Sequence, residues 1–510
     1  MAPSHSTGDC LIRSRKSAAI YLLRIQDQSG IAHLAAAVHA CQSRFGAGYG
    51  QTRARADSGI IDDFTIKSSI FSFLGACRLK KRILALLVGL AAILGFLSCG
   101  GGKKTATSSG LTERVLASQG VTASFSFGSL VFINGRNDTL PRVSPLHAGT
   151  SPGLMVLSPT RNILATFDSA TNSVYAVDTV KETTIGNVRV PGPTTSIVMP
   201  TASPIAYAAV PTASINGFAF LGAVEVMNFS SGSFTSIAVN NAQTVVSDTT
   251  GSKLLVFSGD SDSITVLSPT AAVPPVDTSC YNTPGNGVCT TIPGFDRPVY
   301  AVINGSTAYV LNCGPQCGGT QASIAVFDLP TLTITNTIPV HAATWALLNG
   351  STLYVAGTPA TNHACTGQTT AATTCGRLDV IDTGSGTVTA TAVITDGYHQ
   401  RMDLTSDGQL FVGARDCTNV GNVNNPGSGE VRGCLSIYHT SDGSVVIPPD
   451  NGNVDGLQGF IARKVEYVAE GGALRVYDTR RDVLLINNFL PQGNINIVGY
   501  VGDVKAIDFF

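Results

Sequence analysis

The chain has 510 residues, of which 44% are hydrophobic and only 13% are charged, and it contains 54 glycines. Few charges together with many turn-forming and β-branched residues indicate an all-β protein rather than an intrinsically disordered one. Residues 1–98 hold 12 Lys and Arg against 5 Asp and Glu, so the rest of the chain carries a net charge of −8. That negative charge argues against nucleic acid as a partner.

The first 77 residues contain no motif that predicts a site. A signal sequence normally begins within a few residues of its basic cluster, and the next methionine after Met1 is Met155. We therefore expect translation to start near residue 70 from a non-methionine codon, so that most of residues 1–77 is an extension of the gene model. A genuine disordered leader over the same residues is the alternative.

The segment that follows has the layout of a secretory signal. The basic cluster Arg78–Arg82 precedes 16 apolar residues and then Cys99, which predicts a signal peptide or membrane segment over residues 78–98 and a flexible tether over residues 99–123. Phe96–Cys99 resembles the lipobox of bacterial lipoproteins. The resemblance implies a lipid on Cys99 and a place in the cell envelope, and Gly100 after the cysteine favours delivery to the outer membrane. An uncleaved transmembrane anchor is the alternative, although 16 residues are short for a span of about 20.

From about Ser124 the chain repeats a four-strand pattern in units of 39 to 58 residues. Second strands read TAYVLN from Thr307 and TLYVAG from Thr352, and third strands read SIAVFD from Ser323 and RLDVID from Arg377. Their period of two predicts half-buried strands. A shared Asp follows the third strand and is predicted to form a turn rather than to act as a catalytic carboxylate. The four examples are Asp178, Asp328, Asp382 and Asp478.

Seven complete units and two terminal half-units predict an eight-bladed β-propeller over residues 124–510. Residues 495–510 would supply a first and a second strand, and Ser129–Val143 a third and a fourth, which would close the ring without open edges. The first strand of the last complete unit is predicted at FIAR, from Phe460. Seven blades are the alternative if the terminal pieces pair differently.

The repeat consensus, (Y/F)V-x-(N/G) followed by (I/V)-x-V-x-D-T, resembles the YVTN repeat of surface-layer and YncE-like β-propellers. The best copies are TAYVLN from Thr307, SIAVFDLPTLTITNTIPV from Ser323 and RLDVIDTGSGTVTATAVI from Arg377. The resemblance covers Ser124–Phe510. It implies a propeller that binds partners at the cell surface or in the periplasm.

Eight of the 12 cysteines form four close pairs, each within one loop. The pairs are Cys280/Cys289, Cys313/Cys317, Cys365/Cys375 and Cys417/Cys434. Local disulfides are predicted, because an exported protein keeps such bridges. A metal site is the alternative, but Cys313/Cys317 lacks the usual zinc spacing, and no metal is predicted. The last three pairs lie between second and third strands of consecutive units, which places their loops on one face.

Three histidines and two arginines lie near the entries to innermost strands, where side chains can reach the central channel. They are His147, His341, His399, Arg297 and Arg401. Together they predict a polar site at the channel mouth, which could polarise a carbonyl as in propeller hydrolases and lactonases. No Gly-x-Ser-x-Gly, Walker or His-Glu-x-x-His motif is present, so no catalytic residue and no cofactor is predicted.

These patterns predict an exported, lipid-anchored propeller that acts as a non-catalytic binding module at the cell envelope. The expected partners are an envelope protein, peptide or glycan on the loop-bearing face, and the membrane through the lipid anchor. The alternative function is a hydrolase or lactonase with its site at the channel mouth.

Overall fold

The alternating apolar repeats form short antiparallel strands, which assemble into eight four-stranded blades around a central channel. The predicted eight-bladed β-propeller is therefore confirmed. The computed structural model describes residues 108–215, 221–282, 287–361, 375–418, 420–421, 431–449 and 452–508. The predicted signal segment and Cys99 lie outside these residues. Within them, no helix is long and apolar enough to span a bilayer.

Blades 1 to 7 are numbered in chain order, and each runs from a first strand at the channel to a fourth strand at the outside. The first strands are Pro152–Leu157, Ser196–Val198, Ala242–Ser247, Pro298–Asn304, Trp345–Asn349, Tyr398–Leu404 and Val454–Phe460. The second strands are Ile163–Asp168, Ile205–Ser214, Leu254–Ser258, Thr307–Asn312, Thr352–Gly357, Gln409–Arg415 and Val465–Glu470. The third strands are Ser173–Asp178, Leu221–Asn228, Ser263–Leu267, Ser323–Asp328, Gly376–Asp382, Leu435–His439 and Ala473–Asp478. The fourth strands are Thr183–Arg189, Ser233–Ala238, Cys289–Pro293, Thr333–Pro339, Thr387–Ile394, Val445–Val446 and Val483–Leu484.

A few short elements extend this plan. Val276–Asp277 pairs in parallel with the fourth strand of blade 2, Asn494–Ile495 pairs with the third strand of blade 7, and Val420–Gly421 pairs with Val431–Arg432. The short helical segments are Pro269–Ala271, Ser279–Asn282, Gly314–Cys317 and Ile461–Arg463.

Blade 8 closes the ring with strands from both ends of the described chain. Tyr500–Ala506 is its first strand, Arg114–Gly120 its second and Ser129–Asn134 its third, and a bridge between Leu130 and Leu146 stands in the fourth position. Closure from both ends was predicted, but the division of strands was wrong. The later segment gives one strand instead of two, and the earlier segment starts at the second strand instead of the third.

Two predicted boundaries change with this division. The tether predicted over residues 99–123 is wrong for Arg114–Gly120, where Val115, Leu116 and Ala117 are fully buried in blade 8. The segment from Ile495, predicted as the first strand of the closing unit, instead pairs with blade 7 through Asn494–Ile495. Neither segment carries the repeat motif. Their positions in the blades therefore depend on contacts with strands that are distant in the sequence.

The first strand of blade 7 lies earlier than predicted. It covers Val454–Phe460. Of the predicted strand FIAR, only Phe460 belongs to this strand, and Ile461–Arg463 forms a helical turn. The true strand contains Gly456 and Gly459, which weaken the β-signal of its sequence. A Cβ on Gly456 would lie only 2.8 Å from the Cα of Asp503. The close approach of the first strands of blades 7 and 8 therefore requires glycine at position 456. The same glycine weakens the strand signal of the sequence.

Eight apolar clusters fill the spaces between adjacent blades. Second strands are sandwiched on both sides, and every residue of Ile163–Asp168 is buried. Fourth strands are largely exposed: in Thr333–Pro339 only Ile338 is buried. The predicted Asp turns are present: Asp382 Oδ2 accepts a hydrogen bond from the Ser385 N–H at 3.0 Å, and Asp328 Oδ2 accepts one from the Thr331 N–H at 2.9 Å.

Candidate binding site at the channel and its mouth

The first strands of all eight blades line one cavity along the channel. Its volume is about 480 Å³, within the range of about 300–1,000 Å³ that is usual for small-molecule sites. The connections that enter first strands and those between second and third strands lie at one end of the channel, which we call the mouth face. A smaller pocket of about 260 Å³ at this end shares Gln243, Val299 and Tyr398 with the channel and also contacts Arg297 and Cys317.

Two aromatic rings from neighbouring blades stack on each other at the channel wall. Tyr300 and Trp345 stack with ring centroids 4.0 Å apart and an interplanar angle of 14°, and both residues line the cavity. Burial raises the pKa of Tyr300 to about 12, although the nearby Arg401 opposes the shift. The phenol is therefore neutral at physiological pH and presents an aromatic surface beside a cation.

Arg401 is a cavity-lining cation that forms no salt bridge with a carboxylate among the described residues. Its Nε donates to the backbone oxygen of Asp455 at 2.8 Å, and its Nη1 donates to the backbone oxygen of Gln400 at 2.8 Å. Burial lowers the pKa of Arg401, while Asp503 opposes that shift. A guanidinium still remains charged at any physiological pH.

The carboxylates nearest to Arg401 are bound to other groups. Asp503 Oδ1 accepts from the ammonium of Lys505 at 2.8 Å, and its Oδ2 accepts from the Met155 N–H at 2.8 Å. Asp455 accepts hydrogen bonds from the Arg415 guanidinium and the Tyr500 hydroxyl. Asp503 and Lys505 therefore neutralise each other on the cavity wall.

Two buried acids lie beside the opposite end of the channel. Glu466 is fully buried, and neither of its carboxylate oxygens has a hydrogen-bond partner of normal geometry within the part of the chain that is described. Burial, reinforced by the neighbouring Asp403, raises the pKa of Glu466 well above its usual value. Burial also raises the pKa of Asp403, although the Gly459 N–H donates to it. In both residues the surroundings therefore favour the neutral carboxyl group over the carboxylate.

A hydrogen-bonded rim surrounds part of the mouth face. We use the name rim for Asp296, Gln316, Thr320, Gln321, Thr358, Asp396, Gly397, Asp416, Thr418 and Asn453. Their bonds join the second-to-third-strand loops of blades 4 to 6 to the entries of blades 4, 6 and 7.

Gln316 is the central link of this rim. Its Nε2 donates to the Gly397 backbone oxygen at 3.2 Å, and its Oε1 accepts from the Thr358 N–H at 2.9 Å. The Thr358 hydroxyl donates to the same Gly397 oxygen at 2.8 Å. One side chain thus ties a loop of blade 4 to blades 5 and 6.

Carboxylates and an amide complete the rim on either side. Asp296 accepts from the N–H groups of Thr320 at 2.9 Å and Gln321 at 2.7 Å. Burial alone would raise the pKa of Asp296, but these hydrogen bonds hold it below its usual value. Further along the rim, Asp396 accepts from the Thr418 N–H at 2.7 Å, and Asn453 Oδ1 accepts from the Asp416 N–H at 2.9 Å.

Three of the four predicted disulfides are confirmed. Cys280–Cys289, Cys313–Cys317 and Cys417–Cys434 are bonded, with Cα–Cα distances of 5.4, 5.6 and 5.6 Å. The loops of Cys313–Cys317 and Cys417–Cys434 stand on the mouth face and contribute to the rim, whereas Cys280–Cys289 lies between a third and a fourth strand.

Cys375 differs from the other predicted disulfide residues, because the structure does not confirm its predicted pairing. Cys375 is buried directly before the third strand of blade 5, and its sulfur is disulfide-bonded. However, the predicted partner, Cys365, lies outside the described residues. The bridge between Cys365 and Cys375 is therefore not among the confirmed disulfides and stays a prediction.

The structure does not bring the five predicted mouth residues together. His147 is exposed and packs edge-on against Tyr175, with ring centroids 5.6 Å apart. His341 Nδ1 lies 2.8 Å from the buried carboxylate of Asp379. His399 is fully buried, and its Nε2 lies 2.9 Å from the Thr395 backbone oxygen.

The two predicted arginines do reach the channel region. Arg297 lies in the mouth pocket, 3.7 Å from Asp262, and Arg401 lies on the channel wall. None of the three histidines lines the channel, and no group of three metal-binding side chains occurs among the residues for which coordinates are described. The arrangement therefore gives no specific support to a metal-assisted hydrolase.

Sequence reasoning missed the aromatic wall. Tyr300 and Trp345 occupy first strands, whose residues alternate between the channel and the neighbouring blades. An alignment of the seven first strands by this alternation would have placed both rings and Arg401 on the channel side. The irregular first strand of blade 7 obscured that alignment.

No protein-family model and no curated protein sequence matches the chain. Among solved structures, hydrazine synthase of Kuenenia stuttgartiensis matches with a TM-score of 0.38 at 17% identity, covering 64% of this chain and 76% of that one. Dihydro-heme d1 dehydrogenase NirN, in complex with DHE, matches with a TM-score of 0.49 at 12% identity, covering 78% and 75%. At these values neither protein's activity transfers, and the fold assignment rests on the strand pairing.

Proposed function

We propose that the protein is an exported, lipid-anchored β-propeller that acts as a non-catalytic binding module at the cell envelope. Its partner would be an envelope protein, peptide or glycan held on the mouth face. The YVTN-like repeats and the lipobox-like Phe96–Cys99 support this assignment, because both motifs are typical of exported proteins. The signal layout is also consistent with outer-membrane delivery.

The rim is the observation that carries the binding proposal. Surface loops normally lose conformational entropy when a partner orders them, and that loss weakens binding. Here the bonds of Gln316, Asp296 and Asp396 hold the described residues of the rim in place before any partner arrives, and the disulfides Cys313–Cys317 and Cys417–Cys434 lie on the same face. A polar rim that is already hydrogen-bonded in the free protein is an arrangement suited to a recognition surface.

The rim is tested with a single substitution and a matched control. Gln316→Ala removes the link between blades 4, 5 and 6, and should reduce cosedimentation of the purified protein with the envelope fraction of the producing cells. Ser385→Ala, in an exposed turn at the opposite face, should leave cosedimentation unchanged. Both variants should unfold at nearly the wild-type temperature. Equal binding by the Gln316→Ala variant would overturn the rim as the binding surface.

The anchor and the absence of catalysis are tested separately. Cys99→Ser should release the protein from the membrane fraction and abolish incorporation of labelled palmitate. Retained membrane association would contradict lipid anchoring. A panel of lactones and esters should show no turnover above buffer, and turnover that disappears in the His341→Ala variant would favour the hydrolase instead.

A further inference from the structure

Arg401 points to a ligand because it is a partly buried cation on the cavity wall. Buried charges in proteins are normally paired or bind a ligand, because an unpaired buried charge is costly. Within the described part of the chain Arg401 forms no ion pair, and its two hydrogen bonds go to backbone oxygens. Its Nη2 donates no hydrogen bond to another described residue.

The carboxylates nearest to Arg401 form their hydrogen bonds with other groups. Asp503 is bound to Lys505 and to the Met155 backbone, and Asp455 is bound to Arg415 and Tyr500. The lining of the cavity includes two cations and one carboxylate, Arg401, Lys505 and Asp503. An incoming anion therefore restores charge balance on the cavity wall.

The stacked pair beside Arg401 defines the rest of the ligand. Tyr300 and Trp345 line the cavity as a stacked aromatic pair, and Arg401 is close enough to Tyr300 to affect its pKa. Aromatic rings favour offset stacking with another ring, at a gain of about 0.5–1.5 kcal/mol beyond burial. A flat ring that carries one anionic group can satisfy both the arginine and the aromatic wall.

We propose that the channel binds a small aromatic acid, with its carboxylate on Arg401 and its ring against Tyr300 and Trp345. This site goes beyond the proposed function, because the ligand lies inside the ring of blades rather than on the rim. The two proposals can therefore fail independently. A failure to detect partner binding on the rim would not affect the channel site, and a failure to detect a ligand in the channel would not affect the rim.

The chain contains a single tryptophan, and it lies on the channel wall. Intrinsic tryptophan fluorescence therefore reports on this site alone. Titration of the purified protein with benzoate should change that fluorescence saturably, and calorimetry should give the same affinity. Benzyl alcohol, which lacks the charge, and cyclohexanecarboxylate, which lacks the ring, should each bind about tenfold more weakly.

Substitutions separate the role of the charge from that of the ring. Arg401→Gln should weaken benzoate binding about 10- to 100-fold, the range for a lost hydrogen bond to a charged group, and should leave benzyl alcohol unaffected. Arg401→Lys should restore part of the affinity, and Tyr300→Leu should weaken benzoate without removing the charge preference. The control Arg189→Gln, on the exposed outer strand of blade 1, should bind like the wild type.

Three results would overturn the proposal. They are the absence of saturable benzoate binding by both methods, equal affinity for benzoate and benzyl alcohol, and unchanged benzoate binding in the Arg401→Gln variant. Circular dichroism and the unfolding temperature verify that each variant is folded. If Arg401→Gln does not fold, Arg401→Lys and Tyr300→Leu still decide the outcome.

Discussion

At the scale of the residue, one position of the third strands holds a different side chain in each blade. It lies three residues before the last residue of the strand, and it is occupied by Tyr175, Glu225, Ala325, Asp379 and Arg475 in blades 1, 2, 4, 5 and 7. Tyr175 contacts His147, and Asp379 contacts His341. Two of the predicted mouth histidines are thus partners of this position rather than channel residues.

Glu225 occupies this position in blade 2 without a basic partner. It is fully buried, its Oε2 accepts from the Ser236 hydroxyl at 2.7 Å, and its Oε1 has no partner within the described chain. Burial raises the pKa of Glu225 to about 7, which the Ser236 hydrogen bond only partly offsets. The folded protein therefore holds this proton more tightly than the unfolded chain does.

The free energy of unfolding should depend on pH through Glu225. The stabilisation is complete below about pH 4.5 and is lost as the pH rises to about 7, a difference of about 3 kcal/mol at most. In the Glu225→Gln variant the free energy of unfolding should no longer fall between these pH values. Denaturant titrations of the variant and the wild type at pH 5 and pH 8 measure the difference. The same pH dependence in the variant and the wild type would show that Glu225 ionises freely.

At the scale of the element, blade 5 is joined to the connection before it by one carboxylate. Asp379 is fully buried and accepts hydrogen bonds from the His341 N–H at 2.7 Å and the Thr391 hydroxyl at 2.6 Å. The ring of His341 adds a third contact at 2.8 Å. This set fixes the direction in which the chain enters the first strand of blade 5.

Asp379→Ala should lower the free energy of unfolding by about 2–4 kcal/mol, because it removes the buried, charged acceptor of the hydrogen bonds from His341 and Thr391. Asp379→Asn should cost less, since its amide oxygen can still accept. Asp382→Ala, in the exposed turn of the same blade, serves as the control and should cost under about 1 kcal/mol. Denaturant unfolding of the three variants provides the comparison. An equal cost for Asp379→Ala and Asp382→Ala would show that the hydrogen bonds to Asp379 do not stabilise blade 5.

Glycines in first strands show how closely the blades approach at the channel. A Cβ on Gly456 would meet Asp503, whereas a Cβ on Gly153 would have no neighbour nearer than 3.9 Å. Gly456→Ala should therefore destabilise the protein by about 1–3 kcal/mol, while Gly153→Ala should be close to neutral. Unfolding temperatures of the two variants test this difference. Similar temperatures would mean that the first strands of blades 7 and 8 can separate at little cost.

Sequence reasoning succeeded where local chemistry determines structure. The second and third strands carry apolar alternation and end at Asp turns, so RLDVID and TAYVLN predicted their strands correctly. It failed where contacts across the ring decide, as for the glycine-containing strand Val454–Phe460. The channel site was missed for a related reason, because Tyr300, Trp345 and Arg401 belong to three consecutive blades and become neighbours only when those blades pack side by side.

At the scale of the whole molecule, blade 8 is reinforced by an ion-pair network at the point of closure. The Arg114 guanidinium lies 2.8 Å from Asp508 and 3.0 Å from Glu182. These partners belong to the closing segment and to blade 1. The hydrogen bonds that Arg114 donates to Asp508 raise the pKa of Arg114 and burial lowers it, and the net effect is a raised pKa.

Arg114→Ala should lower the unfolding temperature more than Arg136→Ala does, because Arg136 is largely exposed and lies 3.7 Å from Glu113. Exposed pairs of that kind contribute about 0–1 kcal/mol, whereas removal of Arg114 leaves two partly buried carboxylates without their cation. Limited proteolysis should also cut the Arg114→Ala variant faster near both closing strands. Equal unfolding temperatures for the two variants would show that closure depends on strand pairing alone.

The closure of blade 8 has a consequence for the order of events during synthesis. Arg114 and Asp508 are 394 positions apart, so the strand Arg114–Gly120 emerges early and must wait for its partner until nearly all other blades exist. Until then it presents an unpaired edge, which is a template for aggregation, and contacts of such long sequence separation form slowly. We therefore expect the newly made chain to depend on chaperones or on delayed folding until residue 506 is available.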